Sequence, residues 1–371
     1  MTAPRPSGIR AVFERALELE RAGRSIVHLE IGRPHADSPA AAKAAATAAL
    51  AAGHVHYTPN RGLPALREAL AEREGRDLTE ILVTAGGSEA VAATMLALLR
   101  AGDEVIICDP AWPHYDGHVR LAGATPVHVP TSADDGFAID PDAIAAAVTP
   151  RTRMLVLCSP SNPTGAVIDT ARLEALAQLC QEQDLWVISD EIYEAFVYDG
   201  AVHSSIATLP GMHERTIVAN SFSKTWSMTG WRVGWVAAPG GVCDQINAVH
   251  QHLTVCAPSF AQEGALAALG DGPGYSRALV AEYAERRAAL LAGLAELPGV
   301  RVVAPAGAFY VFPAVDGPQP AVRMLEQAGV AAVPGEVFGE AYAGHVRLSY
   351  AVTEAELTEA LDRLGRLLAP T

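Results

Sequence analysis

Positive charge is scarce in this chain of 371 residues, where 27 Lys and Arg face 42 Asp and Glu for a net charge of −15. Such a balance disfavours nucleic acid and anionic membranes as main partners. Lysine is scarcer still, because Lys43 and Lys224 are the only two in the chain. Arginine supplies the remaining positive charge, so a lysine at 224 indicates a position that needs an amine able to lose its proton.

Export signals, membrane spans and metal motifs are also lacking. The first twenty residues contain no apolar core of a signal peptide, and the Ala-rich stretch 40–53 is too weakly apolar to span a bilayer. The five cysteines form no C-x-x-C pair, as expected of free thiols in a reducing compartment. No third ligand accompanies the pair His114 and His118, so we predict no metal site. We expect a cytoplasmic enzyme.

The sequence does contain a regular alternation of strand and helix patterns. From about residue 50 to 240, apolar runs such as "EILVTAG", "DEVIICDP" and "TRMLVLCSP" alternate with longer helical segments. Continuous Val, Ile and Leu runs indicate strands buried on both faces of a mostly parallel sheet. We predict an α/β fold in which residues 47–275 form a large domain with a helix-flanked sheet. Residues 1–46 and 276–371 form a smaller α+β domain.

Polar residues follow several of the predicted strands, where open α/β sheets bind ligands. Gly87 and Ser88 follow "ILVTAG" as a helix begins, which suits a phosphate group. Asn162 precedes a proline after another strand, and Asp190 ends "WVISD". Each of these features, taken alone, is equally well explained as a tight turn or a helix cap.

The last strand of this region, "TIVANSFS", adds the lysine. It delivers Ser221, Ser223 and Lys224, and Arg232 lies eight residues beyond the lysine. Arginine is a forked phosphate ligand, whereas lysine can form a Schiff base. A phosphate cradle, a carboxylate, an amide and a Schiff-base-forming lysine at one sheet edge together indicate pyridoxal 5′-phosphate.

With these residues the sequence resembles the class I/II aminotransferases, which are fold-type I pyridoxal-phosphate enzymes. The resemblance covers nearly the whole chain, and its motifs follow in the family's order. They are "HYTPNRGLPALREA" (56–69), "TAGGSEA" (84–90), "DPAWPHY" (109–115), "SPSNPTG" (159–165), "SDEIY" (189–193), "SFSKTWSMTGWRVGW" (221–235) and "VRLSYA" (346–351).

The resemblance implies three catalytic residues. Lys224 would form the internal aldimine and move a proton from the substrate Cα. Asp190 would pair with the pyridine nitrogen of the cofactor. Tyr193, with Asn162, would hydrogen bond the phenolic oxygen of the ring, and Trp112 would stack on the ring face.

The resemblance also implies the remaining cofactor and substrate contacts. Arg347 would clamp the substrate α-carboxylate, assisted by Asn162 and the backbone of Gly32. Tyr57 would reach the phosphate in the neighbouring subunit, which implies a homodimer with shared sites. The phosphate of the same subunit would be held by Gly87, Ser88, Ser221, Ser223 and Arg232.

The reaction implied by the resemblance moves an amino group from an L-amino acid to a 2-oxo acid by a ping-pong mechanism. The motifs specify a carbanion at Cα and leave its fate open, so a C–S β-lyase or a specialised natural-product biosynthetic enzyme is the alternative. A transcription regulator built on this fold is disfavoured, since the motifs begin within the first sixty residues and leave no room for a DNA-binding domain.

Two features bear on the substrate. The loop "IGRPHADSP" (31–39) carries Arg33 and His35, where the family usually has Gly followed by Glu-Pro-Asp-Phe. One hypothesis is that Arg33 or His35 faces the substrate side chain; a surface salt bridge is the alternative. From Val233 to Ser276 the chain has no Lys or Arg. In dicarboxylate-specific members of the family that the chain resembles, an arginine from this region of the partner chain often binds the distal carboxylate. Its absence weakens the prediction of an aspartate or glutamate substrate bound in that way, and Arg33 or Arg61 could still bind the distal carboxylate.

Overall fold

The computed structural model describes residues 8–369, so the outermost parts of the predicted small domain, residues 1–7 and 370–371, lie outside the described residues. Its helices are α1 Gly8–Arg21, α2 Ala40–Ala51, α3 Pro64–Glu74, α4 Gly87–Leu98, α5 His114–Leu121, α6 Pro141–Ala147, α7 Thr170–Glu182, α8 Phe222–Thr225, α9 Gly240–Leu253, α10 Ser259–Gly270, α11 Gly274–Ala295, α12 Pro320–Arg323 and α13 Glu354–Leu368. Its strands are β1 Val27–His28, β2 Ile81–Thr84, β3 Glu104–Asp109, β4 Thr125–Pro130, β5 Thr152–Cys158, β6 Trp186–Asp190, β7 Thr216–Ser221, β8 Gly234–Ala237, β9 Val300–Arg301, β10 Tyr310–Val311, β11 Ala314–Val315, β12 Val330–Ala331, β13 Val333–Pro334 and β14 Val346–Ser349.

A seven-stranded sheet forms the centre of the molecule, in the order β2-β8-β7-β6-β5-β3-β4. Strand β8 is antiparallel to both of its neighbours, and the other pairs in this sheet are parallel. Every residue of β2, β7 and β8 is buried, as apolar strands covered on both faces by helices must be. The prediction of an α/β fold with a mostly parallel sheet is therefore confirmed.

Local sequence signals account for several helix ends. The Asp169 side chain accepts a hydrogen bond from the Arg172 amide at 2.9 Å and caps the start of α7. Gly75, with a φ of 60°, ends α3 in the left-handed conformation that glycine adopts most easily. None of the helices within residues 8–369 combines the length and apolarity needed to cross a membrane.

Segments from the two ends of the chain pack together. Strand β1 pairs in parallel with β12, with Val27 opposite Val330. Strand β14 lies between β10 and β13, and this pairing sets Arg347 opposite Val333. Helices α2 and α11 each run across one of the predicted domain boundaries, and the division at 46/47 and 275/276 stays a prediction.

Candidate active site

The carboxyl ends of the parallel strands open onto a cavity of about 230 Å³. Parallel strands bring their carboxyl ends to one edge of the sheet, so residues far apart in sequence meet there. Most of the residues predicted for the site line this cavity: Gly32, Gly87, Ser88, Trp112, Asn162, Asp190, Tyr193, Ser223, Lys224, Arg232 and Arg347.

Lys224 lies in α8, the short helix that follows β7. Its Nζ donates a hydrogen bond to the backbone carbonyl of Gly32, which places the amine inside the cavity. Burial, together with the positive charges of Arg347 and Arg232, lowers the pKa of Lys224 to about 7. An amine in this range is available both as a base and as a nucleophile at neutral pH.

Asp190 ends β6 and shares the cavity with Lys224. The Tyr115 hydroxyl donates to Asp190 Oδ2 at 2.6 Å, and the Ile192 amide donates to Oδ1 at 3.3 Å. Burial raises the pKa of Asp190 to about 6, although both hydrogen bonds oppose this rise. The carboxylate is therefore suited to hold a proton on a basic ligand atom beside it.

The N-terminus of α4 forms another wall of the cavity through Gly87 and Ser88. Gly86 precedes the helix with a φ of 89°, and a Cβ on this residue would overlap the Arg232 guanidinium. Glycine is thus required for the arginine to approach the helix. Free backbone amides and a guanidinium at a helix N-terminus attract an anionic group such as phosphate.

Arg232 is held in place by the backbone. Its Nη1 donates to the Thr229 carbonyl at 2.9 Å and its Nη2 to the Ala85 carbonyl at 3.2 Å. Ser223 lines the cavity beside it, whereas Ser221 does not. The Ser221 hydroxyl accepts a hydrogen bond from the Ser223 amide at 3.1 Å, so the structure shows Ser221 capping α8, the helix that carries Lys224.

Arg347 is buried, with 2% of its surface exposed, and its Nε has no hydrogen-bond partner within residues 8–369. Its Nη1 donates to Asn162 Oδ1 at 2.9 Å, and its Nη2 donates to the Glu30 backbone carbonyl. No side-chain carboxylate in this part of the chain forms an ion pair with it. A buried guanidinium without an acid is costly unless a ligand supplies the negative charge.

Aromatic side chains surround the polar groups. The Tyr193 hydroxyl lies 2.8 Å from the Tyr310 hydroxyl, and the two rings meet edge to face. The Trp112 ring stacks on His114 at 4.3 Å and meets Tyr115 edge to face at 5.3 Å. Trp112 thus forms an aromatic wall of the cavity.

Residues 24–364 match the model of the family described as aminotransferase class I and II. The chain belongs to this family. This membership confirms the predicted enzyme class, and the names of the relatives below favour amino transfer over the C–S lyase alternative.

This aminotransferase resembles other members of the family over nearly its whole length. It is 44% identical to the aspartate/prephenate aminotransferase of Thermus thermophilus, a match that covers 99% of this chain and 97% of the relative. It is 40% identical to aromatic-amino-acid aminotransferase 2 of Thermococcus litoralis, over 98% and 96% of the two chains. The solved structure of Thermus thermophilus aspartate aminotransferase with maleate superimposes with a TM-score of 0.93 at 43% identity, covering 98% of this chain and 97% of that one.

Other residues singled out in the sequence also lie apart from the cavity lining. Tyr57 is 85% exposed on the loop between α2 and α3. Arg33 is also exposed. The Nδ1 and Nε2 atoms of His35 lie 2.9 and 3.1 Å from the Arg286 guanidinium, so its ring is held against α11.

The aminotransferase cavity also contains residues that the sequence did not single out. Tyr115 orients Asp190, Tyr310 contacts Tyr193, and Ile9 reaches the cavity from α1. Tyr115 stands inside the motif "DPAWPHY", which was the available signal for it. Ile9 and Tyr310 come from distant parts of the chain, and nothing in their local sequence marks them.

Proposed function

We propose that the cavity binds pyridoxal 5′-phosphate and that Lys224 is the residue to which this cofactor bonds. One observation carries the proposal: one of only two lysines in the chain lies in the cavity with its pKa lowered to about 7. The donor set also fits the cofactor. The glycine at 86 leaves room for Arg232 at the N-terminus of α4, which suits a phosphate, and Asp190 suits a ring nitrogen.

Each cavity residue then has a proposed role toward the cofactor. Asp190 would keep the pyridine nitrogen protonated, Tyr193 and Asn162 would donate to the phenolic oxygen, and Trp112 would cover the ring face. The phosphate would be held by Gly87, Ser88, Ser221, Ser223 and Arg232, since the Ser221 hydroxyl that caps α8 as an acceptor still has its own proton to donate. Bound there, pyridoxal phosphate supplies an electron-withdrawing ring that stabilises negative charge at the substrate Cα.

The residues of the chain itself would bind the substrate and move the proton. Arg347 would bind the α-carboxylate through its unpartnered Nε and the adjacent Nη, next to Asn162 and Gly32. Lys224 Nζ would take the proton from Cα and return it at the cofactor, as general base and then as general acid. Two such half-reactions, with an L-amino acid and then a 2-oxo acid, give a ping-pong amino transfer.

We infer that aspartate and the aromatic amino acids are the donors to test first, because the relatives carry these substrates in their names. Among residues 8–369, the Lys and Arg side chains that line the cavity are Lys224, Arg232 and Arg347. All three have roles in the proposal that do not involve a distal carboxylate. The cavity of a single chain therefore favours an aromatic donor, and an acidic donor needs a cation from a second subunit.

We also propose that the enzyme is a homodimer. Exposed apolar side chains lie around the loop that carries Tyr57, namely Leu50, Val55, Leu253 and Val255. The Asn60 amide donates to the Val255 carbonyl at 2.8 Å, so the loop and the end of α9 form one surface. A second copy would cover this surface, with Tyr57 reaching the phosphate of the neighbouring site. A cytoplasmic location fits the five unpaired cysteines.

The scarcity of lysine permits a direct test of the cofactor site. Purified protein is incubated with pyridoxal phosphate, reduced with borohydride and digested, and the labelled peptide is located by mass spectrometry. We expect the cofactor mass on the peptide that contains Lys224. The matched control is Lys43→Arg, which replaces the exposed lysine paired with Asp37 and should keep the label. A label on Lys43, or no label at all, contradicts the proposal.

A second measurement tests the reaction. The visible band of the loaded protein is followed while L-aspartate or L-phenylalanine is added without an acceptor. Bleaching to a near-ultraviolet band, and recovery of the visible band with 2-oxoglutarate, are the expected results. The lyase alternative is tested with L-cysteine, whose thiol is a β leaving group: release of pyruvate, ammonia and sulfide from it without an acceptor would contradict amino transfer.

A further inference from the structure

Tyr310 lies between the residues proposed to bind the cofactor and the arginine proposed to bind the substrate carboxylate. It lies in β10, and its hydroxyl is 2.8 Å from the Tyr193 hydroxyl, with both residues buried. The oxygen packs against Gly32, where any Cβ would overlap it. Within residues 8–369, the Tyr310 hydroxyl has the Tyr193 hydroxyl as its hydrogen-bond partner.

The direction of this hydrogen bond follows from the number of protons. A phenol carries one proton, so a tyrosine that donates to one acceptor must receive its other hydrogen bond from a different donor. If Tyr193 donates to the phenolic oxygen of the cofactor, Tyr310 donates to Tyr193. Burial raises the pKa of both phenols, so both keep their protons at neutral pH.

The ring of Tyr310 contacts Arg347, the residue proposed to bind the substrate carboxylate. The Arg347 guanidinium carbon lies 4.4 Å from the centre of this ring and 5.2 Å from that of Phe338. Its Nη1 is held by Asn162, so the contact with Tyr310 completes its orientation. A guanidinium enclosed by aromatic rings gains electrostatic stabilisation and loses freedom to turn.

We propose that Tyr310 is a positioning residue that joins the cofactor side of the site to the substrate-carboxylate side. Its hydroxyl donates to Tyr193 and strengthens the hydrogen bond from Tyr193 to the cofactor, while its ring orients Arg347. The inference rests on the proposed function, because it takes Tyr193 as a cofactor ligand. The titratable and charged groups that face Tyr310 are Arg347, Tyr193 and Cys158.

The hydroxyl is tested by the pH at which the visible band of the cofactor-loaded protein changes. A donor to the phenolic oxygen stabilises negative charge there and helps the adjacent Lys224 nitrogen to lose its proton. Weakening that donor moves the transition to higher pH. We expect Tyr310→Phe to raise the midpoint by about half a pH unit, corresponding to ~0.7 kcal/mol, and Tyr193→Phe to raise it further.

The double variant shows whether Tyr310 acts through Tyr193. In the Tyr193→Phe background, Tyr310→Phe should produce no additional shift, because the residue that carries its effect is gone. The matched control is Tyr198→Phe. Tyr198 is also buried, and its hydroxyl donates to the Ala308 carbonyl at 2.7 Å, away from the cavity lining. This control should leave the midpoint unchanged.

The ring is tested by the kinetics of the amino donor that bleaches the visible band of the wild type. Tyr310→Phe keeps the ring, so the KM for that donor should stay within about threefold of the wild-type value, whereas Tyr310→Leu should raise KM about tenfold. Circular dichroism shows whether each variant is folded. If Leu disrupts the fold, Tyr310→Met replaces it in the same measurement.

The outcomes separate this inference from the proposed function. A wild-type protein without a visible band contradicts the proposed function itself. A wild-type band with an unchanged midpoint in Tyr310→Phe, or with an equal shift in the Tyr193→Phe background, overturns the role of the hydroxyl only. An unchanged KM in folded Tyr310→Leu or Tyr310→Met overturns the role of the ring.

Discussion

Asp190 and Glu191 are neighbours in sequence, yet they belong to two polar clusters of opposite kind. Asp190 belongs to an open cluster with Lys224, Arg232 and Arg347, all of which line the cavity. Within residues 8–369, no side-chain carboxylate forms an ion pair with these three cations. The open cluster therefore has an excess of positive charge, although the chain as a whole has a net charge of −15.

Glu191 belongs to a closed cluster in which most charges are paired internally. Its carboxylate accepts hydrogen bonds from Ser189 at 2.7 Å and Ser205 at 2.5 Å and lies 3.2 Å from His203 Nε2. Arg73 pairs with Glu194, which also accepts from Asn220 at 2.7 Å. The members of the closed cluster are Arg73, Glu74, Glu191, Glu194 and His203.

The difference between the clusters distinguishes two uses of buried charge, namely binding a ligand and supporting the fold. A cluster that neutralises itself holds the strand and helix ends together. A cluster with uncompensated cations needs an anionic ligand for its charge. The predictions that follow test this division, beginning with the largest expected effect.

The first prediction concerns the amine of the open cluster. Lys224→Arg keeps the positive charge but removes the group that can lose its proton, so kcat for amino transfer should fall by about 10⁴-fold. The measurement is steady-state transamination with the donor found by bleaching. Lys43→Arg is the matched control and should retain wild-type activity. A Lys224→Arg variant with more than a tenth of the wild-type kcat would refute the catalytic role.

The second prediction concerns the unpaired arginine. Arg347→Met should lower kcat/KM for the amino donor by about 100-fold, because the α-carboxylate loses its charged hydrogen-bond partner. The free energy of unfolding should change by less than about 1 kcal/mol, since the loss of two hydrogen bonds is offset by the removal of an uncompensated buried charge. Urea denaturation of the apoprotein gives the second value. A large stability loss with unchanged kinetics would place Arg347 in the closed type of cluster.

The third prediction concerns Glu191 of the closed cluster, where stability should fall and activity should change little. Glu191→Ala should lower the free energy of unfolding by about 3 kcal/mol, because Ser189, Ser205 and His203 lose their shared partner. Transamination should remain within about fivefold of the wild-type rate, since Glu191 does not line the cavity. Loss of activity in a stable, folded variant would show that the two clusters are not separate.

The sequence predicts best those parts of the fold whose contacts join residues close together in the chain. The long apolar runs predict the central sheet correctly, because each run by itself indicates a buried strand. The run "VRVVAPAGAFYVFPAV" reads as two strands, whereas the structure has the two-residue strands β9, β10 and β11 there. Strands β9 and β11 pair with each other within this run, whereas the limits of β10 depend on pairing with distant β14, and Ala314 of β11 also forms a bridge to His345. Local sequence does not contain these two distant partners.

The residues of the candidate site also divide into those that local sequence predicts and those that long-range packing places. Lys224, Asp190 and Asn162 stand at or just after the ends of predicted strands, so parallel pairing alone brings them together. Tyr310 and Ile9 reach the cavity because of how segments from the two ends of the chain pack, and neither position carries a local signal. Ser221 follows the rule for helix caps, and its contact with the phosphate stays a prediction.

The last prediction concerns Glu74, the member of the closed cluster whose charge is least compensated. Burial, together with the charges of Glu194 and Glu191, raises the pKa of Glu74 to about 7. The folded protein therefore binds this proton more tightly than the unfolded chain, whose value is near 4.5. The resulting stabilisation is complete below pH 4.5 and is lost as the pH rises through about 7, with an upper limit of ~3 kcal/mol.

Glu74→Gln should remove this pH dependence. We expect the wild-type free energy of unfolding to fall by about 1–3 kcal/mol more than that of the variant between pH 5 and pH 8. His203 loses stabilisation in the same direction, since Glu191 raises its pKa against the effect of burial, and the charge of Glu74 adds a smaller part of that rise, which the variant also removes. Glu72→Gln, on the exposed face of the same helix, should follow the wild type. Parallel curves for all three proteins would mean that Glu74 ionises freely and that the closed cluster compensates every one of its charges.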